Sequence, residues 1–375
     1  GYDDIIVGAS LYNSGKGRIY VYYGSAVGIT NSPLIINGTL SGEHFGYDVC
    51  SAGDVNGDGF DDVAVGAPLS NNGQYNEGRV YIYHGSASGL AISPATILES
   101  NQAICQLGFA VAGGGDINND GFDDLIVGAP NYSNGELYEG SVFVYLGSST
   151  GINSVPVLIL ENNIQDGRFG NSVSGIQDMD NDNFDDIIIG SPNYSGNFHY
   201  EGKIFVYHGN SFALDVDNIE TIEINQLDAK FGISVSGAGD INGDSYADIV
   251  VGAGNYFDGE DMVGGAFVYT SIPCSPSPEL CNSLDDNCNG LIDDGITETI
   301  TISAGGPITF CQGGSVSLTA TYSGATVQWK KNGTNIPGAT SATYNVTTKG
   351  NYSCVTTSAC DTVESTPIFV NVIKN

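Results

Sequence analysis

Basic residues are scarce. Ten Lys and Arg stand against 43 Asp and Glu in 375 residues, a formal net charge of −33. Phosphate recognition needs clusters of Lys and Arg, so the balance argues against nucleic acid as a partner. It argues equally against docking on an anionic membrane surface. No apolar run approaches the ~20 residues of a membrane helix, so no transmembrane segment is expected in this chain. Only four His are present. His44 and His199 have no matching partners in the sequence, and neither a nucleophile elbow nor a zinc-protease helix is visible. Catalysis requires nucleophile, base and stabiliser to converge on one pocket, so an enzyme is not expected. What is abundant is Gly, with 53 residues, while only 14% of residues are charged. That composition suits short strands joined by tight turns, and the length suits two or three domains.

The acids are not scattered. The segments DVNGDGFDDVAVGAP, DINNDGFDDLIVGAP, DMDNDNFDDIIIGSP and DINGDSYADIVVGAG align without gaps. They open at Asp54, Asp116, Asp178 and Asp240, a step of 62. Gly46, Gly108, Gly170 and Gly232 keep the same step, each preceded by Phe except for Leu107. Each unit reads as four short strands. The first follows Phe-Gly. The second is an apolar run such as DDIIIG, continuous enough to be buried on both faces. The third alternates, as in Val80-Tyr81-Ile82-Tyr83, with one face in and one out. The fourth is a run such as VPVLILE. Four strands in about 60 residues, repeated radially, make a propeller blade. The opening GYDDIIVGAS matches the tail of the loop and the strand after it, so Gly1 already lies inside a repeat and the lack of a signal peptide is uninformative. His84 and His208 hold equivalent places two repeats apart and are not expected to meet.

The recurring Phe-Gly, Asp-x-Asn-x-Asp-Gly-x-x-Asp and Gly-Ala-Pro elements resemble the FG-GAP repeat of integrin α-subunit propellers and their bacterial relatives, over roughly residues 1–271. The resemblance implies an all-β, seven-bladed propeller, of which about four and a half blades are present, with two or more N-terminal blades missing. The expected division is a propeller over 1–272, a Cys- and Asp-rich metal-binding linker over 273–297, and an Ig-like β-sandwich over 298–375.

The loops suit calcium, which takes six to eight hard oxygen ligands. Positions 1, 3, 5 and 9 supply side chains and position 7 a carbonyl. The four sets are Asp54, Asn56, Asp58, Phe60 and Asp62; Asp116, Asn118, Asp120, Phe122 and Asp124; Asp178, Asp180, Asp182, Phe184 and Asp186; and Asp240, Asn242, Asp244, Tyr246 and Asp248. Position 6 needs a residue that tolerates φ > 0. Gly59 and Gly121 meet the need, Asn183 less well and Ser245 worst, so the last loop is expected to be the weakest. An EF-hand would require a Glu at position 12 and flanking helices. Position 12 of the Asp54 loop is Val65, in a β-like run. A fifth site is expected in CNSLDDNCNGLIDDG, which resembles a metal-binding motif of secreted bacterial proteins. Asp285, Asn287, Asn289, Leu291 and Asp293 repeat the same spacing there. A disulfide-pinned acidic linker is the alternative reading. Zinc is disfavoured there, because the nearby Cys come with hard oxygen ligands and no His.

From about Ile300 the texture shifts to Ser, Thr and Val. Trp329 and the Tyr352-x-Cys354 pair resemble the core Trp and tyrosine corner of Ig folds. The usual strand-B Cys is absent, with Leu318 near its place. The disulfide pattern is left open by that departure, Cys311–Cys360 and Cys281–Cys288 being favoured. Six of the eight Cys lie in the last ~100 residues, which suits an oxidising compartment. Cys50 and Cys105 read as isolated thiols. The expected role is calcium-dependent binding of an extracellular protein or glycan, in a secreted or cell-surface protein. By the integrin resemblance, the face away from calcium would bind ligand. Tyr132, Tyr194 and Tyr256, repeated in the 2–3 loops, are the candidate contacts, with packing between blades as their alternative role. The alternative function is a non-catalytic accessory region of a secreted hydrolase or lyase.

Overall fold

The computed structural model describes residues 2–270, 298–323, 326–358 and 361–374. The chain divides into two compact units, Gly1–Pro273 and Cys274–Asn375.

The first unit is a partial β-propeller of five antiparallel sheets, each strand paired with the next in sequence. The first blade holds Ile5–Gly8, Arg18–Tyr22 and Leu34–Asn37. The second holds Val49–Gly53, Asp62–Ala67, Arg79–Tyr83 and Thr96–Glu99. The third holds Ala110–Gly115, Asp124–Ala129, Ser141–Tyr145 and Leu158–Glu161. The fourth holds Ser172–Ile176, Asp186–Ser191, Lys203–Tyr207 and Glu220–Ile222. The fifth holds Phe231–Gly239, Asp248–Ala253 and Gly265–Tyr269.

Backbone contact between blades explains the repeated glycines. The amides of Gly46, Gly108 and Gly170 donate to the carbonyls of Gly66, Gly128 and Gly190 in their own blades, at 3.0, 3.1 and 3.1 Å. Their carbonyl oxygens lie against Gly8, Gly66 and Gly128 of the preceding blade, where any Cβ would overlap them. Gly232 repeats the contact with Gly190. All four of these phenylalanine- or leucine-preceded glycines sit at φ between +77° and +81°, a region open to Gly at little cost. The residue before each one, Phe45, Leu107, Phe169 or Phe231, is fully buried between blades. Each such side chain contributes about 1.5–3 kcal/mol of burial. Phe169 stands edge-on to Phe205, with ring centroids 5.1 Å apart, and Phe231 to Phe267 at 5.6 Å.

The second strands are buried on both faces in the third and fourth blades, as expected. The third strands depart from expectation. Arg79–Tyr83 is buried at four of its five positions and Ser141–Tyr145 at all five. Alternation survives in the end blades, in Arg18–Tyr22 and Gly265–Tyr269, and over the first four positions of Lys203–Tyr207 in the fourth. An inner blade has a neighbour on each face; among the described residues the first and fifth blades each have a neighbour on one face only.

The second unit is a β-sandwich. One sheet orders Ile300–Ala304, Val316–Tyr322 and Thr343–Val346. The other orders Thr309–Cys311, Ile368–Ile373, Gly350–Thr357, Thr326–Lys331 and Thr334–Asn335, with Thr362–Glu364 also on Gly350–Thr357. Trp329, Leu318, Tyr352 and Cys354 share its core. The Trp329 indole N–H donates to the Ser341 carbonyl at 2.9 Å, and the Tyr352 hydroxyl to the Thr348 carbonyl at 2.9 Å. Both polar tips are therefore satisfied within the apolar interior.

Candidate metal centres

Each acidic loop joins the first and second strands of a blade, and its shape comes from its own side chains. In the second blade Asp54 accepts from the amides of Asp58 at 3.0 Å and Gly59 at 2.7 Å. Asn56 accepts from Asp58 N at 2.9 Å, and Asp58 from Phe60 N at 3.1 Å. The Asp116, Asp178 and Asp240 loops repeat this wiring. Position 6 has positive φ in all four: +88° at Gly59, +90° at Gly121, +73° at Asn183 and +75° at Ser245. Position 4 does too, at Gly57, Asn119, Asn181 and Gly243. Sequence reading missed this second left-handed position, although the recurrence of Gly and Asn there was its signal.

Position 9 begins the second strand. Asp62, Asp124, Asp186 and Asp248 are fully buried. Asp62 accepts from Gly85 N at 2.8 Å through one oxygen, while its other oxygen is buried without a hydrogen-bond partner. Such an orphaned carboxylate oxygen, set among other carboxylates, fits a bound cation. Burial pushes Asp62 up to about 6 and Asp124 up to about 7. Burial, with Asp186 close by, pushes Asp180 up to about 6. In the Asp178 loop the ligand oxygens of Asp178, Asp180 and Asp182 lie within 4.8 Å of one another. The donor set is all oxygen and strongly anionic, which suits a hard divalent cation such as calcium. Asp285, Asn287, Asn289, Leu291 and Asp293 lie outside the described residues, as do Cys281, Cys288 and Cys360. Among the described residues Cys50, Cys105, Cys311 and Cys354 make no disulfide with one another.

Adjacent loops are tied together by position 8, which sequence reading passed over. Asp123 Oδ2 accepts from Asp54 N at 2.7 Å, one blade back, and Asp185 Oδ2 from Asp116 N at 3.0 Å. The doubled Asp of the Asp54, Asp116 and Asp178 loops was the signal. The fifth blade carries Ala247 at this position, so the Asp178 loop receives no such support. We expect Asp185→Ala to weaken calcium binding at the Asp116 loop about tenfold, although Asp185 is not a ligand there. Titration against Asp120→Ala and the double variant checks this; additive losses would contradict the coupling.

In the Asp240 loop positions 1 and 3, Asp240 and Asn242, are both open to solvent, and Ser245 holds a left-handed φ. This loop is expected to empty first as calcium is withdrawn. Asp182→Ala should therefore cost more total affinity than Asp244→Ala; the reverse order would contradict the ranking.

The opposite end of each blade carries the 2–3 loops. Tyr132, Tyr194 and Tyr256 are half-buried there. Each stands edge-on to an aromatic of its own third strand: Phe143 at 5.5 Å, Phe205 at 6.4 Å and Phe267 at 5.2 Å. Packing within the blade thus takes much of each ring. In the second, third and fourth blades these loops expose Tyr75, Leu137 and Phe198.

The FG-GAP repeat profile matches residues 45–83, 107–145, 169–207 and 231–269. Each match runs from the interblade Phe or Leu through the acidic loop to the end of the third strand. The chain is 30% identical to integrin alpha-5 of Xenopus laevis over 254 residues, 65% of this chain and 23% of that protein. It is 27% identical to integrin alpha pat-2 of Caenorhabditis briggsae over 279 residues, 69% of this chain and 22% of that one. It is 34% identical to integrin alpha-PS5 of Drosophila melanogaster over 192 residues, 49% and 18% of the two chains. The chain spans less than a quarter of the length of these relatives. A solved structure of the N-terminal four Ig domains of Dscam1 isoform 4.44 matches 34% of this chain and 26% of that one, at 16% identity and a TM-score of 0.18, too low to support an argument. The first unit is thus a partial β-propeller that carries four matches to the FG-GAP repeat and is similar to integrin α-subunits over that region.

Proposed function

We propose that the chain is a calcium-stabilised binding module that works outside the cell or at its surface, recognises an extracellular protein or glycan, and catalyses no reaction. The observation that carries this reading is the contrast between the two ends of the blades. One end presents four loops with nearly the same wiring and a buried carboxylate at each ninth position. The other presents loops that differ from blade to blade, SNNGQYNEG, YSNGELYEG and YSGNFHYEG, with Tyr75, Leu137 and Phe198 exposed at their tips. Loops freed from metal geometry can diversify on a rigid scaffold. Tyr132, Tyr194 and Tyr256 are half-buried in loops at this same end of their blades. In this reading residues 1–272 are the propeller, 273–297 a linker with a fifth calcium site, and 298–375 an Ig-like sandwich. The Trp329 core and the Tyr352 hydroxyl on Thr348 support the last assignment. The alanine triple variant of Tyr75, Leu137 and Phe198, screened on glycan arrays and matrix proteins, should lose at least tenfold in binding with an unchanged melting temperature. Full binding by that variant would place recognition elsewhere.

A further inference from the structure

The Asp178 loop departs from the other three at sites far apart in sequence. Position 3 is Asp180, where the other loops have Asn56, Asn118 and Asn242. The residue after the third strand is His208, where the third and fifth blades have Leu146 and Thr270. The fourth strand begins with Glu220, where the two preceding blades have Thr96 and Leu158.

These departures meet in space. The pairing of Ile187 with Tyr207 carries His208 to the end of the strand beside Asp186. His208 Nδ1 lies 3.4 Å from Asp180 Oδ2 and 3.4 Å from Asp186 Oδ2, and Nε2 lies 3.4 Å from Glu220 Oε1. The Nδ1 atom is buried and makes no hydrogen bond of good geometry. Ligand atoms of Asp180, Asp186 and His208 all lie within 4.8 Å of one another. Asp186 is fully buried, and its oxygens are held by Gly209 N at 2.9 Å and Met179 N at 2.8 Å. Metal-binding imidazoles characteristically aim one nitrogen at the ion and the other at a carboxylate, and their carboxylate partners are themselves hydrogen-bonded. The second blade also has a histidine, His84, at the equivalent place. Its position 3 is Asn56 and its Nε2 is buried without a partner, so the three-part arrangement is not repeated there.

We propose that Asp180, Asp186 and His208 form a mixed nitrogen–oxygen site for a zinc-type divalent ion, with Glu220 orienting the imidazole, so that this loop selects a different metal from its three neighbours. Imidazole favours such ions, whereas oxygen-only sets favour calcium. Three protein ligands leave a fourth tetrahedral position for water. The inference rests on the loops being cation sites, and its test separates the two readings.

The full chain is titrated with zinc chloride while calcium is held at millimolar concentration, and separately with calcium alone. One zinc per chain should bind at the loop. His208→Leu should remove that binding, and because Leu146 fills the same place in the third blade the variant should fold. Glu220→Gln should weaken zinc 10- to 100-fold while leaving calcium unchanged, a split that a purely structural role would not produce. Zinc-edge X-ray absorption should show an imidazole and oxygen shell without sulfur. Equal zinc binding by His208→Leu would overturn the proposal, placing the ion on a thiol or another histidine. So would unchanged zinc binding with tighter calcium, which would make His208 a counter-cation to the acidic loop. If calcium binds nowhere on the chain, the general calcium reading fails while the zinc result still stands or falls on His208.

Discussion

Chelating calcium should lower the melting temperature of the propeller unit by tens of degrees and leave the sandwich nearly unmoved. A site that binds only the folded state stabilises it by about 2.7 kcal/mol when free ligand is 100 times Kd. One kcal/mol moves the midpoint of a domain this large by about 2–4 °C. On the proposed reading four such sites act on one unit, and each would relieve repulsion among buried or half-buried carboxylates. Without calcium that repulsion remains. Asp62, Asp124 and Asp180 are then held above the usual carboxylate range, chiefly by burial. A carboxylate raised on folding gives stability that is fully present below its unfolded value and is lost as pH rises through its folded value. The chelated propeller should therefore melt higher at pH 4.5 than at pH 7.5. With calcium the order should reverse, because protons compete with the ion for the same oxygens. Scanning calorimetry with and without chelator at both pH values checks both statements. A propeller transition indifferent to chelator would remove calcium from the account.

Gly128→Ala should be among the most damaging single substitutions in the chain. The new methyl would overlap the carbonyl oxygen of Gly170 on the next blade and come within 3.4 Å of Ala110 Cβ. Gly170 cannot yield easily, because its amide is bonded to Gly190 and its φ of +79° is fixed by the turn. Overpacking typically costs 1–3 kcal/mol, and a backbone obstacle puts this case near the upper end, about 3 kcal/mol. Gly254→Ala is the control. Its nearest neighbour would be Ile233 Cγ2 at 3.7 Å, so its effect should be small, within about 1 kcal/mol. Urea denaturation of the two variants measures the contrast. Equal midpoints would mean that the interblade glycines are not a steric requirement.

The strands, their order and the acidic loops were legible because the 62-residue step repeats every local signal four times. The third-strand reading failed in the second and third blades for a physical reason. Alternation describes a strand with one face less buried, and in those blades neighbours bury both faces. The His208 cluster was illegible because its members are separated by more than twenty residues, from Asp186 to His208, and become neighbours only through hairpin register. Pairing Asp186 against the end of the third strand would have brought His208 into view. The doubled Asp at positions 8 and 9 was visible but read as a single feature. Asp185 in fact reaches back to the preceding blade through Oδ2 while its Oδ1 caps its own loop, and Asp186 points into its own loop. The tyrosines of the 2–3 loops show the opposite limit. Sequence could not divide packing from contact, and the structure assigns each ring a partner within its own blade.

Anomalous diffraction at long wavelength, from crystals grown with calcium as the only divalent metal, tests the central claim most directly. The account predicts a peak in each of the Asp54, Asp116, Asp178 and Asp240 loops, about 2.3–2.6 Å from the oxygens at positions 1, 3, 5, 7 and 9. Loops without peaks at millimolar calcium, or peaks only outside those oxygens, would contradict it.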